Sequence, residues 1–164
     1  MGLYEGELRD AVIRCKQARF EPLALGLGRL LGGWLRERVA EQYDLVIPVP
    51  SHWMRRWTRG THSAGLLAER VSCCLGVPQI TGLRAVRRSR KQGTLSAPQR
   101  FANVRGVFRP SKRYDFHHAK LLLIDDVMTT GATLGEAARV LKRAGAAEVC
   151  AAVIARGTGM ARSF

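Results

Sequence analysis

The chain has 164 residues, of which 46% are hydrophobic, and its formal net charge is +14. This length and composition fit one globular domain with a substantial core, and no apolar run approaches the roughly 20 residues that a membrane-spanning helix requires. The four cysteines form no C-x-x-C pair, so neither a disulfide framework nor a zinc site is predicted. The acidic N-terminus is unlike a secretory signal, and we therefore expect a cytoplasmic protein.

The positive charge is concentrated in the middle of the chain. Between Leu45 and Tyr114 there are fourteen Lys or Arg residues and a single acid, Glu69. A basic segment of this kind is typical of a surface that binds polyphosphate or nucleic acid. The alternative is an arginine-rich surface with no ligand.

Hydrophobic periodicity predicts an alternation of helices and strands. In chain order we predict helices over 5–17 and 22–41, a strand over 44–49, a helix over 62–75, a strand near 80–86, a polar loop over 87–100, strands near 106–108 and over 120–124, a helix over 133–144 and a strand over 148–155. Strands separated by helices indicate an α/β fold with a mostly parallel sheet flanked by helices. We expect one domain over 1–164, with a helical N-terminal segment (1–42) and an α/β core (43–164).

The stretch LLLIDDVMTTGAT, residues 121–133, predicts a ligand site. An apolar strand ends in Asp125 and Asp126, and a turn over Val127–Gly131 would let both carboxylates reach one ligand. Hydroxyls, a glycine and a helix N-terminus follow, which suit a phosphate group. A Walker B strand is excluded because the chain has no Gly-Lys pair for a Walker A loop. A receiver-type acidic pocket would not need the hydroxyl–glycine turn, and a capped strand-to-helix turn without a ligand remains the alternative.

The same stretch resembles the phosphoribosyl pyrophosphate (PRPP) motif of type I phosphoribosyltransferases. Further segments resemble the ComF (competence protein F) family of that fold: Tyr4–Arg9 with Lys16, Asp44–Pro50, Arg59-Gly60, Lys91-Gln92, Leu95, Arg100, Asn103, Gly106 and Phe108. Two departures stand out. The four-cysteine zinc module that often opens the family is lacking, so no metal site is carried over from it, and Thr61-His62-Ser63 replaces the usual Phe-Asn-Gln.

The resemblance implies a role for each part of the site. Asp125 and Asp126 would accept hydrogen bonds from the ribose hydroxyls. The 5′-phosphate would be bound by Thr129, Thr130, Gly131, Ala132 and Thr133. The pyrophosphate would be bound by Ser51, His52, Arg55, Arg56 and Arg59. Mg²⁺ would arrive with PRPP, and Lys91 would reach the pyrophosphate when the loop over 87–100 closes.

Two functions remain open from the sequence. One is a PRPP-dependent phosphoribosyltransferase of nucleotide metabolism with an unidentified acceptor. The other, implied by the ComF resemblance, is a non-catalytic protein of competence and DNA uptake that binds single-stranded DNA or recombination proteins. His62 could serve as a base or begin a helix, and Trp53 and Trp57 could stack on bases or pack beneath the loop. The oligomeric state is open, with a dimer as one candidate.

Overall fold

A computed structural model describes residues 2–38, 42–50, 63–87 and 97–157. The strands are β1 (Gly2–Leu3), β2 (Leu45–Pro48), β3 (Leu83–Ala85), β4 (Phe108–Pro110), β5 (Lys120–Met128) and β6 (Glu148–Arg156). The helices are α1 (Gly6–Cys15), α2 (Glu21–Arg38), α3 (Ser63–Leu75), α4 (Ala97–Val104) and α5 (Ala132–Arg143), with a short 3₁₀ turn at Ala18–Phe20.

The main sheet has four strands in the order β1-β6-β5-β2, and all of its neighbouring pairs are parallel. Strands β3 and β4 form a separate antiparallel pair. The predicted fold class is confirmed: a parallel sheet is flanked by helices, and helical segments occupy the N-terminal part. None of the described helices is both long enough and apolar enough to cross a membrane.

Strand β5 divides the hydrophobic core into two layers. Successive side chains of a strand point to opposite faces of a sheet. Leu122 and Ile124 accordingly pack in the core beneath α1, α2 and α3. Leu121 and Leu123 pack on the other face, with α5 and the β3–β4 pair. The run of apolar residues predicted to form a central strand is therefore buried on both sides.

Helices α2 and α3 pack closely because α2 presents glycine to α3. A Cβ at Gly28 would lie 2.8 Å from the Leu67 carbonyl oxygen, and one at Gly32 would lie 2.7 Å from the Cys74 Cβ. These two glycines weaken the intrinsic helix propensity of α2, but they let the helix backbones approach. Tertiary packing thus explains two of the four glycines of this helix, Gly28 and Gly32.

Several boundaries differ from the sequence predictions. The polar loop predicted over 87–100 ends earlier, because α4 begins at Ala97. The strand predicted near 106–108 lies at Phe108–Pro110, and β5 continues to Met128 rather than ending at Ile124. The N-terminal segment also contributes β1, which pairs with the end of β6. Two residues are too few for any periodicity to reveal such a strand.

Candidate functional site

The end of β5 leads into a small polar cradle at the start of α5. Asp125 and the residues from Val127 to Leu134 line a cavity of about 30 Å³. This volume suits a group about as large as one or two water molecules, so most of a sugar phosphate would have to lie outside it. The five residues predicted to bind a phosphate, 129–133, all lie in its lining.

The backbone of the cradle is fixed by local hydrogen bonds. Gly131 precedes α5 with φ of +74°, a left-handed conformation that favours glycine. The hydroxyl of Thr130 accepts a hydrogen bond from the Ala132 N–H at 3.5 Å. The Gly157 N–H donates to the Met128 carbonyl at 2.8 Å, which ties the start of the cradle to the end of β6. N–H groups at the beginning of a helix lack partners within the helix, so this cradle can offer donors to an anion.

The two adjacent acids face opposite sides of the sheet. The turn predicted over Val127–Gly131 was expected to bring both to one ligand, but β5 stays extended through both acids and beyond. Asp125 lies in the lining of the cradle, on the α5 side. Asp126 lies on the α1 and α3 side. A one-residue step along a strand reverses the side-chain direction, which explains the separation.

Asp126 is held by two side chains that are distant in sequence. Lys16, directly after α1, forms a salt bridge with one carboxylate oxygen at 3.1 Å. The Ser63 hydroxyl, at the start of α3, donates to the other oxygen at 3.0 Å. Sequence reasoning assigned a function to neither residue. The one available signal was Lys16 within the ComF-like opening, and no pattern connects it to residue 126.

Asp125 lies in an environment that disfavours its charge. Its pKa is raised from 3.8 to about 7, first by burial and second by the neighbouring negative charge of Asp126. The backbone N–H of Asp126, which donates to Asp125 at 2.8 Å, and the charge of Lys16 act in the opposite direction. Perturbed carboxyl groups of this kind are enriched at functional sites.

A buried carboxylate on α5 anchors the segment that follows α4. The sequence suggests that Glu136 lies on the charged face of α5, but its exposure is 7%. It accepts hydrogen bonds from the Gly106 N–H at 2.7 Å and from the Arg139 guanidinium at 2.6 and 2.7 Å. The bond from Arg139 is the main reason why the pKa of Glu136 lies below its ordinary value. This contact fixes the approach to β4 against the first turns of α5.

A second concave surface lies at one end of the β3–β4 pair, and we call it the basic groove. It has a volume of about 700 Å³ and is lined by Thr81, Arg84, Ser111, Lys112, Arg113 and Tyr114. None of these lining residues is acidic. The Tyr114 side chain is 37% exposed. Since Gly106 lies beyond the opposite end of this strand pair, the groove is separated from the contact with α5.

The remaining predicted site residues lie outside the described ranges. They are the proposed pyrophosphate ligands Ser51, His52, Arg55, Arg56 and Arg59, the loop residue Lys91, and the alternatives Trp53, Trp57 and His62. Their predicted roles therefore stay predictions. Among the acids and the cradle, the structure brings Asp125 together with residues 129–133 and directs Asp126 elsewhere.

Comparison with known proteins identifies relatives by sequence. The chain is 37% identical over 154 residues to the DNA utilization protein YhgH of Shigella flexneri, which covers 89% of this chain and 66% of that protein. It is 33% identical over 108 residues to Competence protein F of Haemophilus influenzae, which covers 65% of this chain and 47% of that protein. The predicted resemblance to the ComF family is confirmed. The chain spans about half to two thirds of the length of these curated relatives.

A solved structure and a domain family also match this chain. A purine phosphoribosyltransferase from Pyrococcus horikoshii Ot3 superposes with a TM-score of 0.52 at 20% identity, over 85% of this chain and 77% of that one, which establishes the likeness in fold. Residues 58–162 match the phosphoribosyl transferase domain family, and the cradle and both acids lie within that range. Because the match extends over more than half of the chain, the protein belongs to the family of phosphoribosyl transferase domains.

Proposed function

We propose that the protein binds PRPP at the end of β5. The observation that carries this proposal is the adjacency of Asp125 to the cradle at residues 129–133. A carboxylate can accept hydrogen bonds from ribose hydroxyls, while hydroxyls and helix N–H groups donate to a 5′-phosphate. Because the cradle is small, the phosphate would enter it only in part, and the ribose would lie over Asp125. The pyrophosphate would be bound by the basic residues predicted for it at 51–59, which lie outside the described ranges.

Magnesium would be bound mainly through the oxygens of PRPP. Within the described ranges, no group of three or more His, Cys, Asp or Glu residues is arranged to hold a metal ion. Mg²⁺ commonly keeps water and phosphate ligands instead of an all-protein cage, so the pyrophosphate oxygens would supply most of its coordination. When bound, the ion would offset the negative charge of the pyrophosphate.

The chemistry that this arrangement supports is transfer of the phosphoribosyl group. The bond between the ribose C1 and pyrophosphate would break, and an acceptor would form the new bond to C1. A negative carboxylate beside the ribose would stabilise the positive charge that develops on the sugar as pyrophosphate leaves. Val127, Met128 and Thr129 follow the two acids, so this stretch supplies no further carboxylate to act as a base for the acceptor.

Calorimetry provides the test of the binding site. We expect Mg²⁺–PRPP to bind the wild-type protein, with weaker binding of ribose 5-phosphate or pyrophosphate alone. Asp125→Asn should abolish PRPP binding, because it removes the acceptor charge. The exposed Asp115→Asn, a carboxylate removed on the loop before β5, should bind as wild type does. Absence of PRPP binding by wild-type protein at millimolar ligand would refute the proposal.

The basic groove favours a second function, binding of single-stranded nucleic acid. The described residues that line the groove include three cations and no acid, which favours contact with phosphates, and an exposed tyrosine provides a face for base stacking. The names of the two relatives, a DNA utilization protein and a competence protein, agree with this function. Such binding does not require phosphoribosyl transfer, and it would involve a surface separate from the cradle.

Salt dependence of oligonucleotide binding tests the second function. Each phosphate contact to a single strand contributes about 0.7 to the logarithmic salt slope, so loss of three contacts should flatten the slope by about 2. The variant combines Arg84→Ala, Lys112→Ala and Arg113→Ala. As a control of equal charge, Arg9, Arg14 and Arg36 are replaced by alanine on the exposed surfaces of α1 and α2. Equal salt slopes for the two triple variants would exclude the basic groove as the site of oligonucleotide binding.

A further inference from the structure

The second acid of the motif connects the N-terminal segment to the sheet. Asp126 joins Lys16 at 3.1 Å and Ser63 at 3.0 Å, so that one carboxylate links β5 to the end of α1 and the start of α3. The Asp126 side chain is 14% exposed and that of Lys16 is 26% exposed, while Ser63 is buried. Partial burial of an ion pair leaves it little screened by solvent salt. Removing one partner would leave the other charge poorly solvated.

Lys16 is also the counter-charge for both acids. Within the described ranges it forms a salt bridge with Asp126, and its charge also lowers the pKa of Asp125. The titratable groups that act on this cluster there are Asp125, Asp126, Lys16 and Cys15. Burial raises the pKa of the Cys15 thiol to about 11, and the Asp126 charge adds to this effect. The thiol therefore stays neutral, and the balance between the acids depends on Lys16.

We propose that Lys16 is a positioning residue of the PRPP site, an inference that rests on the proposed function. By binding Asp126 on the α1 face, it offsets the repulsion between that carboxylate and the adjacent Asp125. Asp125 can then carry the negative charge with which it accepts the ribose hydroxyls. The N-terminal segment is thus a component of the ligand site, although its helices lie on the opposite side of the sheet from the cradle.

The test is the pH dependence of PRPP binding in Lys16→Met. Loss of the lysine raises the pKa of Asp125 further, because one of the influences that lower it is removed. If that rise is about one unit, the dissociation constant should increase about fivefold at pH 7, about tenfold at pH 6 and less than about twofold at pH 9. Lys16→Arg, which keeps the charge, should bind within about threefold of wild type at each pH.

Two further variants separate positioning from folding. Arg14→Met removes an exposed charge from the last turn of α1 and should bind PRPP as wild type does. Ser63→Ala removes the other hydrogen bond to Asp126, keeps the lysine, and should weaken binding about two- to fivefold. It provides a second test if Lys16→Met fails to fold, as judged by its thermal unfolding.

The outcomes are distinct. If the wild-type protein binds PRPP and Lys16→Met binds it with the same affinity, the positioning role is refuted and the proposed function stands. The same conclusion follows if Lys16→Met loses affinity equally at pH 6 and pH 9. If Lys16→Met does not fold, unchanged affinity in Ser63→Ala refutes it instead. Failure of the wild-type protein to bind PRPP refutes the proposed function and this inference together.

Discussion

Replacement of Asp125 by asparagine should make the fold more stable at neutral and alkaline pH. The substitution preserves the size of the side chain and the oxygen that accepts from the Asp126 N–H, but it removes a charge that the surroundings disfavour. The protein retains this charge, on our proposal, because the ligand needs it. Stability and ligand binding should therefore change in opposite directions in this variant.

The magnitude follows from the shift in the pKa of Asp125. The pKa rises from 3.8 to about 7 on folding, and a shift of this size corresponds to an upper limit of about 4 kcal/mol. Because the folded state holds the proton more tightly, the free energy of unfolding falls as pH rises from about 4 to about 7, and the penalty is complete above that range. Asn cannot titrate, so the variant lacks this loss.

Urea denaturation followed by circular dichroism at about pH 5 and about pH 8 measures the effect. Asp125→Asn should raise the free energy of unfolding above that of wild type, and this increase should be about 1–4 kcal/mol larger at pH 8 than at pH 5. Asp10→Asn, which removes an exposed carboxylate on α1, is the matched control and should show no comparable difference. A variant whose stability relative to wild type is the same at both pH values would contradict the reasoning.

Four other substitutions test the packing of α2, the cradle and the buried Glu136 by thermal or chemical denaturation. Gly28→Ala should lower the free energy of unfolding by about 1–3 kcal/mol, because its Cβ would contact the Leu67 carbonyl. Gly33→Ala, where nothing lies within 4 Å of the new Cβ, should raise it by about 0.5–1 kcal/mol. Equal effects would contradict the close packing of α2. Gly131→Ala should cost about 1–2 kcal/mol because of its left-handed backbone and should weaken PRPP binding; unchanged stability would contradict that conformation. Glu136→Gln should lower the free energy of unfolding by about 1–3 kcal/mol at pH 7. Because the pKa of Glu136 is lowered in the folded protein, this loss should shrink as pH falls below the ordinary range of a glutamate and the carboxylate becomes protonated. A loss independent of pH would show that the charge is unimportant.

The sequence alone determined the α/β alternation and the position of the cradle. Apolar runs and helical periodicity are local patterns, so they predicted the buried strand β5, helix α5 and the order of the elements other than β1 and α4. Gly131 and the hydroxyl residues predicted the turn before α5, since turn chemistry also depends on neighbouring residues. Helix α5 ends at Arg143, and Gly145 follows two residues later with a left-handed φ of +102°.

The tertiary structure decided what each charged side chain contacts. The sequence predicted that Asp125 and Asp126 bind one ligand together, but β5 continues through both, so their side chains lie on opposite faces of the sheet. Glu136 read as a surface residue, but the segment before β4 covers it. Lys16 reaches Asp126 because α1 packs near the end of the sheet. Burial and charge pairing depend on segments far apart in the chain, and no local pattern encodes which segments will meet.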